Sequence, residues 1–287
     1  MIRLPVTKTP KPYVGGAFIR SESGRTFPLQ DAAGRFFANV PQCTRKDLRN
    51  AVEAAAKSGP GWAKRTACNR GQILYRLGEM LEARRPEMIA TLIGFGAPRA
   101  GAAKEVATSI DRLIYYAGWA DKYEQVLGNV NPVAAPYFNF TVTEPMGIIG
   151  VIAPDAPPLL GLVSLVAPAI VSGNTVVALA SEKTPYPAIL LGEMLATSDL
   201  PGGVVNLLTG LRKELVPTFA THAHLRGISA VATADERKVI RLGAAESVKR
   251  VHFADGGEAS WFGEAAQSLY AIRDFLEFKT TWHPIGA

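Results

Sequence analysis

The spacing of apolar positions divides the chain into a helical third and a strand–helix third. Leu48, Val52 and Ala55 or Ala56 recur at three- and four-residue intervals, the stripe of a helix that Thr44 can cap. Ile73, Leu74, Leu77 and Leu81 mark a second helix, and residues 86–95 a third. A fourth is predicted over 100–127, carrying Val106, Ile110, Leu113, Ile114 and Trp119. Ahead of these, Tyr13 to Phe18 reads as a hairpin around Gly15 and Gly16.

At residues 137–144 the period changes to two. Phe138, Phe140 and Val142 alternate with Asn139, Thr141 and Thr143, the mark of a strand with one apolar face. The same alternation returns near the end, with Leu276, Phe278, Thr280 and Trp282 on one face and Glu277, Lys279, Thr281 and His283 on the other. Between them strands and helices take turns. Ile148–Ala153 is a buried strand, and residues 159–172 form a helix stopped by Gly173-Asn174. Thr175–Leu179 is the next strand, and Thr184-Pro185 caps and opens another helix. Val204–Leu208, Gly227–Val231 and Arg250–Ala254 complete the strands. This pattern predicts an α/β fold: a Rossmann-like parallel sheet flanked by helices, with an N-terminal helical segment and a small β flap. The corresponding division is 1–136, 137–146 for the first flap strand, 147–268 for the Rossmann-like unit and 269–287 for the second flap strand.

Composition narrows the function class. The chain has 287 residues, 48% hydrophobic and 20% charged, an ordinary globular balance. The net charge of +6 is carried by basic residues scattered along helices, such as Arg65, Arg70, Arg76, Arg84 and Arg85. Scattered bases argue for solvated helix faces rather than a nucleic-acid stripe. Cys43 and Cys68 make no disulfide framework. Met1 to Pro5 does not start a signal peptide and no apolar run reaches membrane-spanning length, so a cytoplasmic protein with no membrane partner is expected. His222-Ala223-His224 lacks a third metal ligand and reads as a surface turn.

Several stretches resemble the aldehyde dehydrogenase family. They are Tyr115 to Lys122, Glu144-Pro145-Met146-Gly147-Ile148-Ile149-Gly150, Gly173-Asn174-Thr175-Val176-Val177, Glu182-Lys183-Thr184-Pro185, and Leu200-Pro201-Gly202-Gly203 running on to Gly210. Arg250 to Gly257 is similar to the family's Glu-Leu-Gly-Gly strand, and Glu277 to Trp282 to its oligomerisation strand. In the family a catalytic domain with the nucleophilic cysteine lies between these last two. Here a short linker joins them, so the resemblance implies that the catalytic domain is absent.

The resemblance also implies where chemistry should sit. Aldehyde oxidation needs a thiolate, an amide for the oxyanion, a carboxylate base and NAD(P). The family's amide position holds Ala156 and its glutamate position Ala254; Asp255, one step along, points to the opposite face. No catalytic residue is therefore assigned. Cys43 and Cys68 lie near predicted helix starts, where a thiol can be activated, but neither stands at the family's position. The cofactor site would involve Pro154, Ser181, Glu182 and Thr233. It is eroded: Leu179 replaces the ribose-binding lysine. The family's glycine-rich turn reads Ala232-Thr233-Ala234-Asp235-Glu236-Arg237, with carboxylates where a phosphate would approach.

The leading expectation is thus a catalytically inactive subunit. It would pair through its β flap with a full-length catalytic aldehyde dehydrogenase, or with itself, using Phe138, Phe140, Val142, Phe278, Thr280 and Trp282. The alternatives are an NAD(P)-dependent subunit active only within a complex, a nucleotide-binding sensor, and a degenerate product without a partner. Packing of the flap aromatics on the chain's own helices is the competing structural expectation.

Overall fold

The structure is a computed structural model that describes residues 8–255 and 257–286. Met1 to Pro5 and Gly256 lie outside the described residues. A hairpin of β1 (Tyr13–Val14) and β2 (Ala17–Phe18) opens the chain, as the Gly15-Gly16 pair predicts. A second hairpin, β3 (Thr26–Gln30) with β4 (Phe36–Pro41), follows and has no counterpart in the sequence-based expectation. Its turn is held by the Asp31 carboxylate, which accepts from the N–H groups of Ala33 and Arg35 at 2.9 Å each.

Four long helices come next: α1 (Arg45–Ala63), α2 (Ala67–Ala83), α3 (Arg85–Gly94) and α4 (Arg99–Trp119). Thr44 caps α1 in a capping box with Asp47, whose carboxylate also accepts from Ser21 Oγ and Glu22 N–H and so ties the link between the two hairpins to the helix. Leu48, Val52 and Ala55 form the buried stripe of α1, and Leu74, Leu77 and Leu81 that of α2. The single helix expected over 100–127 is broken after Trp119 and resumes as α5 (Tyr123–Leu127). The turn between them puts the Tyr123 ring in the core, where Arg70 donates to its hydroxyl at 3.2 Å.

From Gly147 the α/β alternation appears as expected: β7 (Ile148–Ile152), α6 (Pro158–Val171), β8 (Thr175–Leu179), α7 (Tyr186–Leu195), β9 (Val205–Leu208), α8 (Arg212–Thr221), β10 (Leu225–Ala230), α9 (Ala234–Ala245) and β11 (Arg250–Phe253). The last two helical and strand elements are α10 (Leu269–Arg273) and β12 (Leu276–Pro284). The short β5 (Asn129–Asn131) and long β6 (Tyr137–Pro145) precede β7. Gly173 ends α6 with φ +94°, a conformation that costs a side chain strain. Thr184 does not cap α7 as expected. The N-cap residue is Pro185 with no side-chain cap bond, and the Thr184 N–H is spent on Ser181 Oγ at 2.8 Å.

Five strands run parallel in the order β9-β8-β7-β10-β11, and β1 adds antiparallel to β9, making a mixed sheet of seven with β2 outermost. The α6 helix is buried along its whole length on one face. The other face carries Leu48, Phe219 and Ile240 from α1, α8 and α9. The chain winds outward from β7 to β9, then returns to the other side of β7 for β10 and β11. The gap between the carboxyl ends of β7 and β10 is therefore the topological switch point, the place where open α/β sheets present a ligand crevice.

Candidate functional site

Three loops meet at the switch point. Residues after β7 supply Pro154 and Asp155, those after β8 supply Ser181 and Glu182, and those after β10 supply Thr233. The structure thus brings together all four residues expected from the sequence. Each is engaged with the protein itself. Pro154 packs on α6 so tightly that a Cβ on Gly161 would fall 2.1 Å from its Cγ, which is why a glycine stands there. Asp155 Oδ1 accepts from Ser181 Oγ at 2.9 Å and from the N–H groups of Glu182 at 3.1 Å and Lys183 at 3.3 Å. Glu182 reaches across to the start of α8, where Oε2 accepts the Arg212 N–H at 2.6 Å. Thr233 closes a capping box on α9: its hydroxyl accepts the Glu236 N–H at 3.3 Å, and its own N–H donates to Glu236 Oε2 at 2.9 Å.

The residue that sequence reasoning missed is Arg212. From the first turn of α8 its guanidinium spans the switch point, donating to the Ala153 carbonyl at 2.9 Å and the Val231 carbonyl at 2.7 Å. These are the residues that leave β7 and β10. It also pairs with Glu236, whose side chain is 20% exposed against 15% for Arg212. Burial works against the charge of Arg212, but the Glu236 carboxylate together with Asp155 and Glu182 outweighs it and holds the guanidinium above its usual range. Burial likewise works against ionised Glu236, and the bonds from Arg212 and the Thr233 N–H win, keeping that carboxyl below the usual range.

Neither cysteine enters the crevice. Cys43 is fully buried and burial pushes its thiol up to about 12, so it holds no thiolate at neutral pH. Cys68 is exposed near the start of α2, remote in sequence from the crevice loops. His222 is half-buried and His224 exposed, and no metal-binding cluster occurs among the described residues.

A profile of the aldehyde dehydrogenase family matches residues 18–265. The chain belongs to the aldehyde dehydrogenase family. Retinal dehydrogenase 2 of Gallus gallus is 34% identical over 260 residues, covering 88% of this chain and 49% of its own length. The 2-hydroxymuconic semialdehyde dehydrogenase of Pseudomonas sp. (strain CF600) is 34% identical over 260 residues, with coverages of 86% and 52%. The fold agrees: the NAD+ complex of an aldehyde dehydrogenase from Bacillus cereus superposes with a TM-score of 0.83 at 26% identity, covering 87% of this chain and 51% of that one. The chain spans about half the length of the curated relatives it matches.

At the positions that the family resemblance assigns to the amide and the base, Ala156 and Ala254 present methyl groups. Asp255, beside Ala254, pairs with Arg237 of α9. The α6 face of the sheet is covered by residues 257–275, which run from β11 to β12 as two short 3-10 turns and α10. This segment is fastened at several points. Arg112 of α4, 1% exposed, donates to the Trp261 carbonyl at 3.0 Å and also to that of Ala266. Asn174 donates to the Phe275 carbonyl at 2.8 Å, and Arg250 to those of Asp274 and Leu276 at 3.2 and 2.7 Å. Trp261, Ile272, Phe275 and Leu276 are buried in the main core.

Both expected flap strands form. β12 pairs antiparallel with β6 along its whole length, and β5 lies on the far side of β6. The register separates the expected anchors. Phe278, Thr280 and Trp282 lie opposite Thr143, Thr141 and Asn139, whereas Phe138, Phe140 and Val142 lie opposite His283, Thr281 and Lys279. Directly opposed residues share a face, so the two triplets project from opposite faces of the flap. Phe138, Val142, Phe278 and Trp282 are between 43% and 58% exposed. Among the described residues no helix is long and apolar enough to cross a membrane.

Proposed function

We propose that this chain is a catalytically inactive subunit of the aldehyde dehydrogenase family that docks through its β flap onto a catalytic aldehyde dehydrogenase or onto a second copy of itself. The observation that carries the reading is the Arg212 guanidinium seated on the carbonyls of Ala153 and Val231, in the crevice where this fold type receives a ligand.

A dinucleotide does not fit these residues. The α9 N-terminus, the usual seat of a pyrophosphate, is closed by the Thr233–Glu236 capping box, and Asp235 and Glu236 add negative charge there. Glu182 is committed to α8 and Asp155 to the turn after β8. With Ala156 and Ala254 at the family's amide and base positions, the chain offers no oxyanion donor and no base there. The catalytic domain that the resemblance places after β11 is, in this reading, replaced by residues 257–275. Their many fastenings support a fitted cover rather than a ragged scar.

The flap supports the docking half of the proposal. Among the described residues the outer edge of β12 has no neighbour in its sheet, and exposed aromatic residues flank the flap on both faces. The test is purification of the tagged chain from its native cell, with light scattering and identification of co-eluting proteins. A complex with a full-length aldehyde dehydrogenase, or a defined homo-oligomer, is expected, with no aldehyde turnover by the chain alone. A monomer that oxidises an aldehyde with NAD(P) would overturn the proposal.

A further inference from the structure

The covering segment does not lie flat on the sheet. Between it, α6 and the ends of β10 and β11 is a cavity of about 370 Å3. That is within the range of roughly 300–1,000 Å3 common to small-molecule sites. It is separate from the Arg212 crevice and owes part of its space to Ala254, which lines it with a methyl group.

Three of its polar residues are neighbours. Ser229 of β10 and His252 of β11 are register partners in adjacent parallel strands, so their side chains stand side by side on the α6 face. Asp274, from the end of the covering segment, lies 3.2 Å from His252 Nδ1. A carboxylate at Nδ1 fixes the proton there and leaves Nε2 as the acceptor of the neutral ring. Ser229 is 1% exposed and lines the cavity. The remaining walls include the flat rings of Trp261, Tyr270 and Phe275. His252 is about half exposed, so the cavity opens to solvent beside it.

We infer that this cavity is a binding site for a small, uncharged aromatic alcohol or phenol. The ring lies among Trp261, Tyr270 and Phe275, and its hydroxyl donates to His252 Nε2 while accepting from Ser229 Oγ. A carboxylate ligand is disfavoured, because Asp255 and Asp274 both line the cavity and no lysine or arginine does. The inference does not rest on the docking proposal and stands or falls by itself.

The experiment is isothermal titration of the full chain with 4-methylphenol and, separately, with toluene, which has the same ring and methyl group but no hydroxyl. Saturable one-site binding of 4-methylphenol is expected, with toluene about fivefold weaker, the worth of one modest hydrogen bond. His252→Phe keeps an aromatic side chain and should narrow the gap, as should Ser229→Ala. Equal affinities in the unaltered chain, saturable binding of neither probe, or an unchanged preference in a folded His252→Phe chain would each overturn the inference. The wild-type comparison decides even where a variant fails to fold.

Discussion

Arg212 and Glu236 meet in a two-pronged ion pair, with Nε 2.8 Å from Oε1 and Nη2 2.9 Å from Oε2. The pair closes the space between the strand ends of β7 and β10, and both partners are largely buried. Removing one member leaves a buried charge alone, a change that costs about 3 kcal/mol in such settings. Arg212→Ala should therefore lower the unfolding free energy by about 3 kcal/mol. Arg212→Met combined with Glu236→Gln should recover more than half of that loss in chemical denaturation. If the double variant is as unstable as the single one, the pair is not what holds the crevice.

The same carboxylate sets a sign for acid behaviour. Because Glu236 is held below its ordinary value of 4.5, its contribution is full above that value and is lost as pH falls through the folded-state value. Glu105 should do the reverse. Burial raises its carboxyl, only partly offset by the amides of Leu159 and Leu160, which it caps at 2.8 and 3.2 Å. Its folded form holds the proton more tightly than the unfolded chain, so stability from this group is full below 4.5 and declines as pH rises through the raised value. Glu105→Gln keeps an acceptor for those amides and removes the charge. Its stability relative to wild type should rise between about pH 4.5 and 7 in urea titrations; parallel curves would refute this.

The cover over α6 depends on Arg112, which also donates to Ser164 Oγ at 2.9 Å. A lysine cannot present the same planar fork of donors. Arg112→Lys is expected to speed amide exchange across residues 257–268 at least tenfold while leaving exchange in β7 and β8 unchanged. Uniform acceleration throughout the sheet would mean that the segment is not a separable cover.

The opposed faces of the flap make docking divisible. Trp282 is 58% exposed, and large aromatic residues dominate interface energies. Trp282→Ser should weaken association by about 2 kcal/mol, some thirtyfold, with little change in melting temperature. Phe138→Ser tests the other face independently. Full association in both variants would remove the flap from the interface.

Much of this architecture could be read from the chain. β7 and β8 follow from apolar runs entered just after Gly147 and Gly173-Asn174, and the flap strands from their two-residue period. The β3–β4 hairpin carries a readable signal: Asp31-Ala32-Ala33-Gly34 separates Phe27 and Leu29 from Phe36, Ala38 and Val40. Arg212 carried none, because its partners lie at 153, 231 and 236 and only the winding of the sheet brings them together. The division of the flap anchors between two faces was equally hidden. Each strand declares its own alternation, but which residue stands opposite which is a property of the pair.

The pairing of β6 with β12 also constrains how the molecule is made. Every residue of the Rossmann-like unit lies between Pro145 and Leu276, which are partners in the register. On a ribosome, β6 emerges early and has only the short β5 and α5 beside it until the parallel sheet has been synthesised. The flap is thus the slowest contact to close and the segment most exposed to chaperones, or to a partner arriving before the chain is finished.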